Sequence, residues 1–240
     1  MNRKELRQYL QTNMGEYLAE KGFKIDSNNF LFKTTKDFRF RVLMDINTYH
    51  VLVIRVLIPE IQNQLIETPL NKIFCFDKPD NVYKDHLKNS STVRGDFLKE
   101  RIEKSMNFEI DSVYDVERLA EIIKEYLEKT AIPFFEKYSD LKNINQEILD
   151  NDMPYEKGIG YTGGMKDFYN VPIVGNGDNK MVERRMFIMR LCNDERYIDF
   201  INWYQSHLDI YEANTHESLR LKLYKIFNDT KEYLSKLEIS

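Results

Sequence analysis

The glycine-rich stretch from Gly158 to Gly177, GIGYTGGMKDFYNVPIVGNG, holds six of the chain's nine glycines and is the first candidate for chemistry. Its first six residues fit G-x-G-x-x-G, the pattern with which dinucleotide-binding folds hold a pyrophosphate. That chemistry needs a buried strand before the glycines and a helix after them, because the helix N-terminus meets the phosphates. The flanking sequences LDNDMPYEK and GMKDFYNVPIVG favour neither element. We therefore predict that the stretch binds no nucleotide.

The same stretch belongs to residues 151–180, a segment rich in Gly, Asn and Asp that also contains two prolines. This composition indicates a loop. A mobile surface loop is the simplest interpretation. An ordered binding loop is the alternative, because aromatic residues on a loop can anchor a partner. In that alternative the partner-binding residues are Tyr161, Phe168 and Tyr169.

Other catalytic and metal-binding patterns in the sequence are incomplete. HESLR begins at His216 like a zinc-binding H-E-x-x-H motif, but Arg220 occupies the position of the second histidine. The chain has four histidines, with no pair at ligand spacing, and it lacks a G-x-S-x-G nucleophile elbow. The glycine-rich stretch also lacks the Gly-Lys-Ser/Thr of a phosphate-binding loop. The sequence predicts no catalytic residue, no metal and no cofactor.

Charge is distributed unevenly along the chain, whose formal net charge is −4. Residues 109–156 contain thirteen acidic and five basic residues, which gives this segment a net charge of −8. The segment would repel phosphate backbones, and no basic stripe with interleaved aromatic residues occurs elsewhere, so nucleic acid is not an expected partner. In the simplest interpretation these acids keep a helix solvated. Alternatively, they attract a basic protein partner.

Two cysteines, Cys75 and Cys192, stand far apart without a C-x-x-C motif. This usage predicts two buried thiols in a reducing compartment, although the sequence leaves a disulfide between them open. The first residues, MNRKELRQYL, are charged throughout and show no secretory signal. The longest apolar run, YHVLVIRVLIP, is interrupted by Arg55 and is shorter than the ~20 apolar residues that span a bilayer. We expect a cytoplasmic protein without a membrane partner.

The elements that must position any site begin with a helix over residues 3–21, whose apolar residues repeat at three- and four-residue spacing. Gly22 suits the left-handed residue of a C-terminal helix cap. Residues 23–59 alternate with period two and predict an antiparallel meander packed against this helix.

Within the meander we predict a tight turn at Asn47–Thr48 and then an interior strand, VLVIRVLI, that ends at Pro59. The strand is apolar on both faces, so residues 51–54 should all be buried. Residues 60–110 give weaker signals. There NKIFCFDKP fits a short strand, and MNFEID fits an extended segment.

The second half of the chain is predicted to be largely helical. Residues 113–131 form an amphipathic helix with a capping box at Ser112 and Asp115, and Pro133 should end or kink it. Further helices are predicted over 141–150 and in three segments between 181 and 237. The fold class is therefore α+β: a helix, an antiparallel meander, a second helix on the sheet and a helical last third. We predict an α+β domain over 1–150, the loop 151–180 and a helical region over 181–240 that packs on the first domain.

The order of these elements resembles a bacterial family called domain of unknown function 4304. The resemblance covers about residues 3–140 and is carried by KGF after the first helix, by NFLFKTTKDFRFRVLMDI in the meander, and by IPFFEKY after the acidic helix. These motifs include no catalytic signature, and the family has no assigned activity. Some members lie near bacterial toxin genes, so the resemblance implies an immunity or partner-binding role.

Two classes of function are consistent with these observations. We favour a non-enzymatic protein-binding module of a bacterial cytoplasm, because no catalytic pattern is complete and one segment concentrates negative charge. The alternative is an enzyme whose residues come together only in the fold. The two differ in their sites, since an enzyme needs a cleft with converging polar groups and a binding module needs an exposed patch.

Overall fold

The computed structural model describes residues 1–95, 107–150, 180–211 and 217–238. Over these residues the chain is α+β, as predicted. The helices are α1 (Arg3–Glu20), α2 (Gln64–Phe74), α3 (Asp80–Asn89), α4 (Val113–Tyr126), α5 (Ile132–Tyr138), α6 (Leu141–Asp150), α7 (Met181–Leu191), α8 (Tyr197–Tyr211) and α9 (Glu217–Ser235). The strands are β1 (Lys24–Ile25), β2 (Leu31–Thr34), β3 (Phe38–Thr48), β4 (Leu52–Asn63), β5 (Val93–Arg94) and β6 (Phe108–Ile110).

Helix α1 has well-formed caps at both ends. At its start the Asn2 side chain accepts hydrogen bonds from the Lys4 and Glu5 amides, while the Glu5 carboxylate accepts from the Asn2 amide. At its end Gly22 adopts a φ of 78°, and the Phe23 amide donates to the Leu18 carbonyl over 2.7 Å. The predicted left-handed cap is therefore confirmed, and the chain turns directly into the sheet.

The sheet has the order β1-β2-β3-β4-β5, and β6 also pairs with β4. The pairs β1–β2, β2–β3 and β4–β6 are antiparallel. Ile110 of β6 lies opposite Leu52 of β4, and both side chains are buried. The predicted meander and the extended segment at MNFEID are thus confirmed, and β6 leads straight into α4.

Three details of the β3–β4 hairpin differ from the prediction. The turn lies about two residues later than Asn47–Thr48, with a hydrogen bond from the Tyr49 amide to the Val51 carbonyl. Val51 and Val53 are half-buried, whereas the other two residues of 51–54 are buried. The part of β4 that is buried on both faces is its second half, residues 57–63.

Pro59 does not end β4, which continues through it to Asn63. A proline fits in a strand where its ring finds space and no ladder hydrogen bond is required of it. Gly95 provides that space, because a Cβ added there would lie 2.7 Å from the Pro59 ring. An alanine at position 95 would therefore require the backbone or the ring to move.

Residues 64–74 are helical, so the short strand predicted from NKIFCFDKP is wrong. The Asn63 side chain caps the helix by accepting from the Leu65 amide, and buried apolar residues recur at Ile66, Leu70 and Phe74. The apolar run IFCF suggested a strand because a short run carries no period of its own, and the helical period appears only when the preceding residues are included. The segment DFLKERIEKSM, residues 96–106, whose apolar residues show helical spacing in the sequence, lies outside the described residues.

Helix α4 begins at the predicted capping box, which is formed by Ser112 and Asp115. Pro133 does not end the helical segment, because a π-helical turn over Leu127–Ala131 leads into α5, which has Pro133 in its first turn. Proline is tolerated at that position since the first amides of a helix have no partner within it. Phe135 of α5 lies against Phe40, with 5.2 Å between ring centroids. The IPFFEKY segment therefore contributes to the core.

By their internal contacts the described residues form two compact units. Unit 1 comprises the described residues of Met1–Gln62 and Arg94–Ser139, and unit 2 comprises the described residues of Asn63–Val93 and Asp140–Ser240. The predicted helices after residue 180 are confirmed as α7, α8 and α9. The predicted domain boundaries and the packing of the last region on the first stay predictions. None of the described helices is long and apolar enough to cross a membrane.

Candidate functional site

The glycine-rich stretch and the predicted partner-binding residues Tyr161, Phe168 and Tyr169 lie outside the described residues. The candidate site must therefore be sought elsewhere, among concentrations of charge in the described residues. One of these, the pairing of buried Glu60 with Arg41 and Arg94, lies within the sheet, and we compare two others. One is exposed at the start of α4 in unit 1. The other is buried between helices of unit 2. Their chemical possibilities differ because one is open to solvent and the other is not.

The exposed site is an acidic patch formed by Glu109, Asp111, Val113, Tyr114 and Glu117. Tyr114 is 66% exposed, which makes it one of the most exposed large hydrophobic side chains among the described residues. Val113 beside it is also exposed, as are the three carboxylates. An exposed tyrosine ring with neighbouring carboxylates can serve as a contact residue in a protein interface.

The fold explains why this patch is rigid. Strand β6 carries Glu109 outward while Ile110 is buried against β4, and α4 begins three residues later, at Val113. The inner face of α4 is fixed by a buried apolar stripe, made of Val116, Leu119, Ala120 and Ile123. Since both flanking elements are anchored in the core of unit 1, the segment between them has little freedom. The patch is therefore preorganised for binding.

Hydrogen bonds at the helix start hold an additional negative charge beside the patch. The Ser112 hydroxyl and the Ser112 amide both donate to the Asp115 carboxylate, at 2.7 and 2.9 Å. These bonds lower the pKa of the Asp115 carboxyl below its ordinary value, and the bond from the Ser112 hydroxyl is the largest cause. A carboxylate at a helix N-terminus is also favoured by the helix dipole. Asp115 therefore stays ionised at neutral pH.

The carboxylates of the patch differ from those farther along α4. Glu121 forms an ion pair with Lys124 at 2.7 Å, and Glu125 forms one with Lys129 at 2.6 Å. Within the described part of the chain, no ion pair involves the three carboxylates of the patch. The nearby cation Arg118 lies over the Phe108 ring at 5.5 Å and also attracts the Asp115 carboxylate. The three carboxylates of the patch therefore keep their negative charge without an ion pair to a described residue.

The buried site is an ion-pair network centred on Glu67 of α2 and Arg184 of α7, whose side chains are completely buried. Arg184 donates from Nε to Glu67 Oε1 at 2.6 Å and from Nη2 to Oε2 at 3.1 Å. Thr92 donates to the same Oε1 at 3.0 Å. Asn71 donates to the Glu67 carbonyl and accepts from Lys180, both at 2.7 Å. The network joins α2, α7 and the segment before β5.

This network has the residue types of a catalytic site but not the accessibility. Both oxygens of the Glu67 carboxylate already accept from Arg184, so neither is available as a proton acceptor for a substrate. Buried charges are tolerated when they are paired and hydrogen-bonded, as they are here. We interpret the network as a structural link that orients α7 in unit 2.

The two cysteines are free thiols, as predicted, but the predicted burial of both is correct for Cys75 only. Cys75 is buried and Cys192 is half-buried at the end of α7. Burial raises the pKa of Cys192 to about 11, with Asp140 and Asp194 adding to the shift. A thiol with such a pKa is protonated at neutral pH and is a poor nucleophile. In the described ranges no group of His, Cys, Asp and Glu side chains has the arrangement of a metal site.

Sequence reasoning located the acidic segment but missed Tyr114. A signal was present, because the apolar stripe of α4 starts at Val116 and leaves Tyr114 on the opposite face of the helix. An aromatic residue outside the buried stripe of an otherwise regular amphipathic helix indicates exposure. In contrast, no local pattern could pair Glu67 with Arg184 across 117 positions of sequence.

Comparison with known proteins identifies no relative, because no protein-family model, no curated protein and no solved structure matches the chain. The resemblance to domain of unknown function 4304 accordingly stays a prediction based on the quoted motifs. The protein-binding proposal below therefore depends on the geometry of the described sites.

Proposed function

We propose that this chain is a non-enzymatic protein-binding module that holds a basic protein partner on the acidic patch. The observation that carries the proposal is the exposed ring of Tyr114 among carboxylates without ion pairs to other described residues. The buried Glu67–Arg184 network, which has the residue types of a catalytic site, is closed to substrates. The exposed patch is therefore the better candidate for function.

The chemistry of the patch supports a contact with a protein. Tyrosine is enriched among residues that dominate binding energy, because its ring buries a large apolar area and its hydroxyl still finds a polar partner. Val113 adds apolar area next to the ring. The surrounding carboxylates would form the polar rim of such an interface and accept hydrogen bonds from Lys or Arg side chains of the partner.

The charge of the patch supports a basic partner in particular. Glu109, Asp111, Asp115 and Glu117 contribute four negative charges, and Arg118 contributes one positive charge. Charge of one sign on a rigid surface accelerates the approach of an oppositely charged protein. The acceleration falls with ionic strength, because the Debye length is about 8 Å at physiological salt.

The resemblance to domain of unknown function 4304 supports a narrower form of the proposal, in which the partner is a bacterial toxin and this chain is its cytoplasmic immunity protein. An immunity protein must bind tightly and quickly, and electrostatic steering provides the rate. This narrower form depends on the resemblance alone. The binding proposal does not.

The proposal is tested by affinity capture from cells that express the tagged chain, followed by identification of the retained proteins. Two baits remove the patch: Y114A, which truncates the exposed ring, and D111K/E117K, which reverses two charges. We expect a basic protein that the wild-type bait retains and both variants lose. With that protein purified, D111K/E117K should slow its association and weaken the salt dependence of the rate.

Each variant has a matched control in unit 1. Y49A truncates a tyrosine that is 60% exposed in the β3–β4 turn. E16K/E20K changes the net charge by the same amount as D111K/E117K, at exposed positions of α1. Both controls should retain the partner. The proposal is wrong if the controls lose the partner as readily as the patch variants, or if no basic protein depends on Tyr114.

A further inference from the structure

Unit 2 contains a half-open pocket of about 620 Å³ between the end of α7, the start of α8 and the end of α9. Its volume lies within the range of about 300–1,000 Å³ that is typical of small-molecule sites. The apolar part of its lining comes from Met189, Tyr197, Ile198 and Ile201. Arg190 and Lys231 also line it. No residue of the pocket lining belongs to the acidic patch or to the buried ion-pair network.

The shape of the pocket is fixed by the way α7 ends. Asn193 adopts a left-handed φ of 52°, and the Asp194 amide donates to the Met189 carbonyl over 2.9 Å. The Asp194 carboxylate accepts from Arg196 at 3.2 Å and from Asn145 at 2.8 Å. These bonds hold the α7–α8 connection, so the wall of the pocket is built from tethered backbone rather than from a free loop.

The two cations of the lining come from different helices, Arg190 from α7 and Lys231 from α9. Arg190 extends to α9, where its Nε donates to the Leu234 carbonyl at 3.3 Å. Lys231 is one turn earlier on the same helix, with Nζ 4.4 Å from the centroid of the Phe227 ring and 3.5 Å from Gln205. Neither cation forms an ion pair with another described residue. Both side chains can therefore pair with a negatively charged group of a ligand.

The apolar side chains of the lining lie mainly on α8, and the Arg190 guanidinium lies over the Tyr197 ring of that helix, 6.0 Å from its centroid. Ile198 and Ile201 are one turn apart on this helix, and Ile198 is 61% exposed. A large aliphatic side chain exposed at the mouth of a pocket gains free energy when a ligand covers it. Of the acids in the lining, Asp194 is compensated by Arg196, and Glu195 is exposed to solvent.

We propose that this pocket binds a small amphipathic carboxylate, with the carboxylate between Arg190 and Lys231 and the aliphatic chain along Ile198 and Ile201. A monocarboxylate with a medium-length aliphatic chain matches both the charge and the apolar side of the lining. The inference goes beyond the protein-binding proposal and does not depend on it, because the two surfaces share no residue.

The probe for the test is octanoate, titrated into the isotopically labelled full chain and followed by amide chemical shifts. Octan-1-ol has the same chain without the charge, and octyltrimethylammonium has the opposite charge. We expect saturable shifts in residues 189–201 and 231–235 with octanoate. The affinity for octan-1-ol should be about tenfold weaker, because the charge-assisted hydrogen bonds are lost, and octyltrimethylammonium should cause no saturable shift there.

Two variants test the two kinds of side chain in the lining separately, one the cations and the other the apolar residues. K231Q removes a cation at a half-buried position and should weaken octanoate about tenfold. I198N removes exposed apolar area and should weaken it about fivefold. Their controls lie on α9 or directly after it, outside the pocket lining. K236Q removes an exposed lysine, and L221N changes a leucine that is 58% exposed. Both controls should bind octanoate within about twofold of the wild type.

Several results would overturn the inference. These are the absence of saturable shifts with octanoate, shifts centred outside the pocket, and equal affinity for octanoate and octan-1-ol. Equal weakening by K231Q and K236Q would also overturn it, because the effect would then come from net charge. The comparison of the three ligands uses the wild-type chain, so it decides the matter even if a variant fails to fold.

Discussion

Helices α4 and α7 both carry many charged residues, yet the fold uses the charges in opposite ways. On α4 the charges face solvent, and the buried stripe is purely apolar. On α7 the buried residues include Glu183, Arg184 and Arg185, with Arg184 completely buried. The presence of charged residues in a helical sequence therefore does not reveal whether they form an exposed binding surface or a buried ion pair that fixes the helix. Only the solvent exposure of their side chains distinguishes the two.

The difference has an energetic basis. Taking a charged group out of water costs several kcal/mol per ion unless a partner and hydrogen bonds compensate it. Arg184 has that compensation from the Glu67 carboxylate. The charges on the outer face of α4 remain hydrated, so their removal should cost almost nothing in stability and should change only what the helix can bind.

Among variants that test the contrast between α4 and α7, R184M should change the free energy of unfolding the most. The variant leaves the buried Glu67 carboxylate without its cation, which should lower the free energy of unfolding by about 3–5 kcal/mol. On α4, R118Q changes an exposed arginine and should stay within about 0.5 kcal/mol of the wild type. Urea titrations followed by circular dichroism give both values.

Adding E67Q to R184M provides the control, because it removes the unpaired charge and keeps a polar group for Thr92 and Asn71. The double variant should be more stable than R184M alone. If the two substitutions instead destabilise additively, Glu67 and Arg184 are not coupled and the interpretation of α7 as anchored by this pair is wrong.

A second effect separates the two faces of α4 itself. Leu119 is completely buried, and L119A should cost about 2–5 kcal/mol through lost burial and the cavity that remains. E117A, on the outer face, should change stability by less than about 0.5 kcal/mol. Thermal unfolding of both variants measures the contrast. A loss with E117A that approaches the loss with L119A would show that the acidic patch is structural.

The parts of this fold that could be predicted from the sequence are those whose signals are local. The cap at Gly22 and the capping box at Ser112 each depend on a few neighbouring residues, and both were predicted correctly. The exposed patch was predicted only in part: the negative charge of the segment was evident, but the exposure of Tyr114 was overlooked. Its position on the helix would have sufficed to find it.

The features that could not be predicted depend on long-range contacts. Residues 183–185 are charged, and nothing near them in the sequence shows that α2 supplies a buried carboxylate. Similarly, Pro59 is a common strand terminator, and its place inside β4 depends on Gly95, which is far away in sequence. The pocket combines residues from the ends of three helices and has no sequence pattern.

A smaller effect concerns how the two helices begin. Helix α4 starts with the Ser112 capping box, whereas Lys180 at the start of α7 makes no capping hydrogen bond with its side chain. S112A should therefore lower the free energy of unfolding by about 1 kcal/mol. It should also raise the pKa of Asp115, since the Ser112 hydroxyl is the largest cause of its depression. Carboxyl chemical shifts followed against pH measure that change.

The pH dependence of this effect has a definite sign. A carboxylate whose pKa is depressed in the folded state stabilises the fold above its unfolded pKa, and the contribution is lost as the pH falls through the folded pKa. The difference in stability between wild type and S112A should therefore be larger at pH 7 than at pH 3. A difference that grows on acidification would contradict the assigned hydrogen bonds.

The central functional claim, that α4 offers a binding surface, is tested most directly by hydrogen exchange of the chain with and without its captured partner. Amide exchange and side-chain footprinting of Tyr114 report on the same segment. The account predicts that the partner slows exchange over residues 109–121 and shields Tyr114, while Tyr49 stays accessible. Protection confined to unit 2, with residues 109–121 and Tyr114 unchanged, would contradict it.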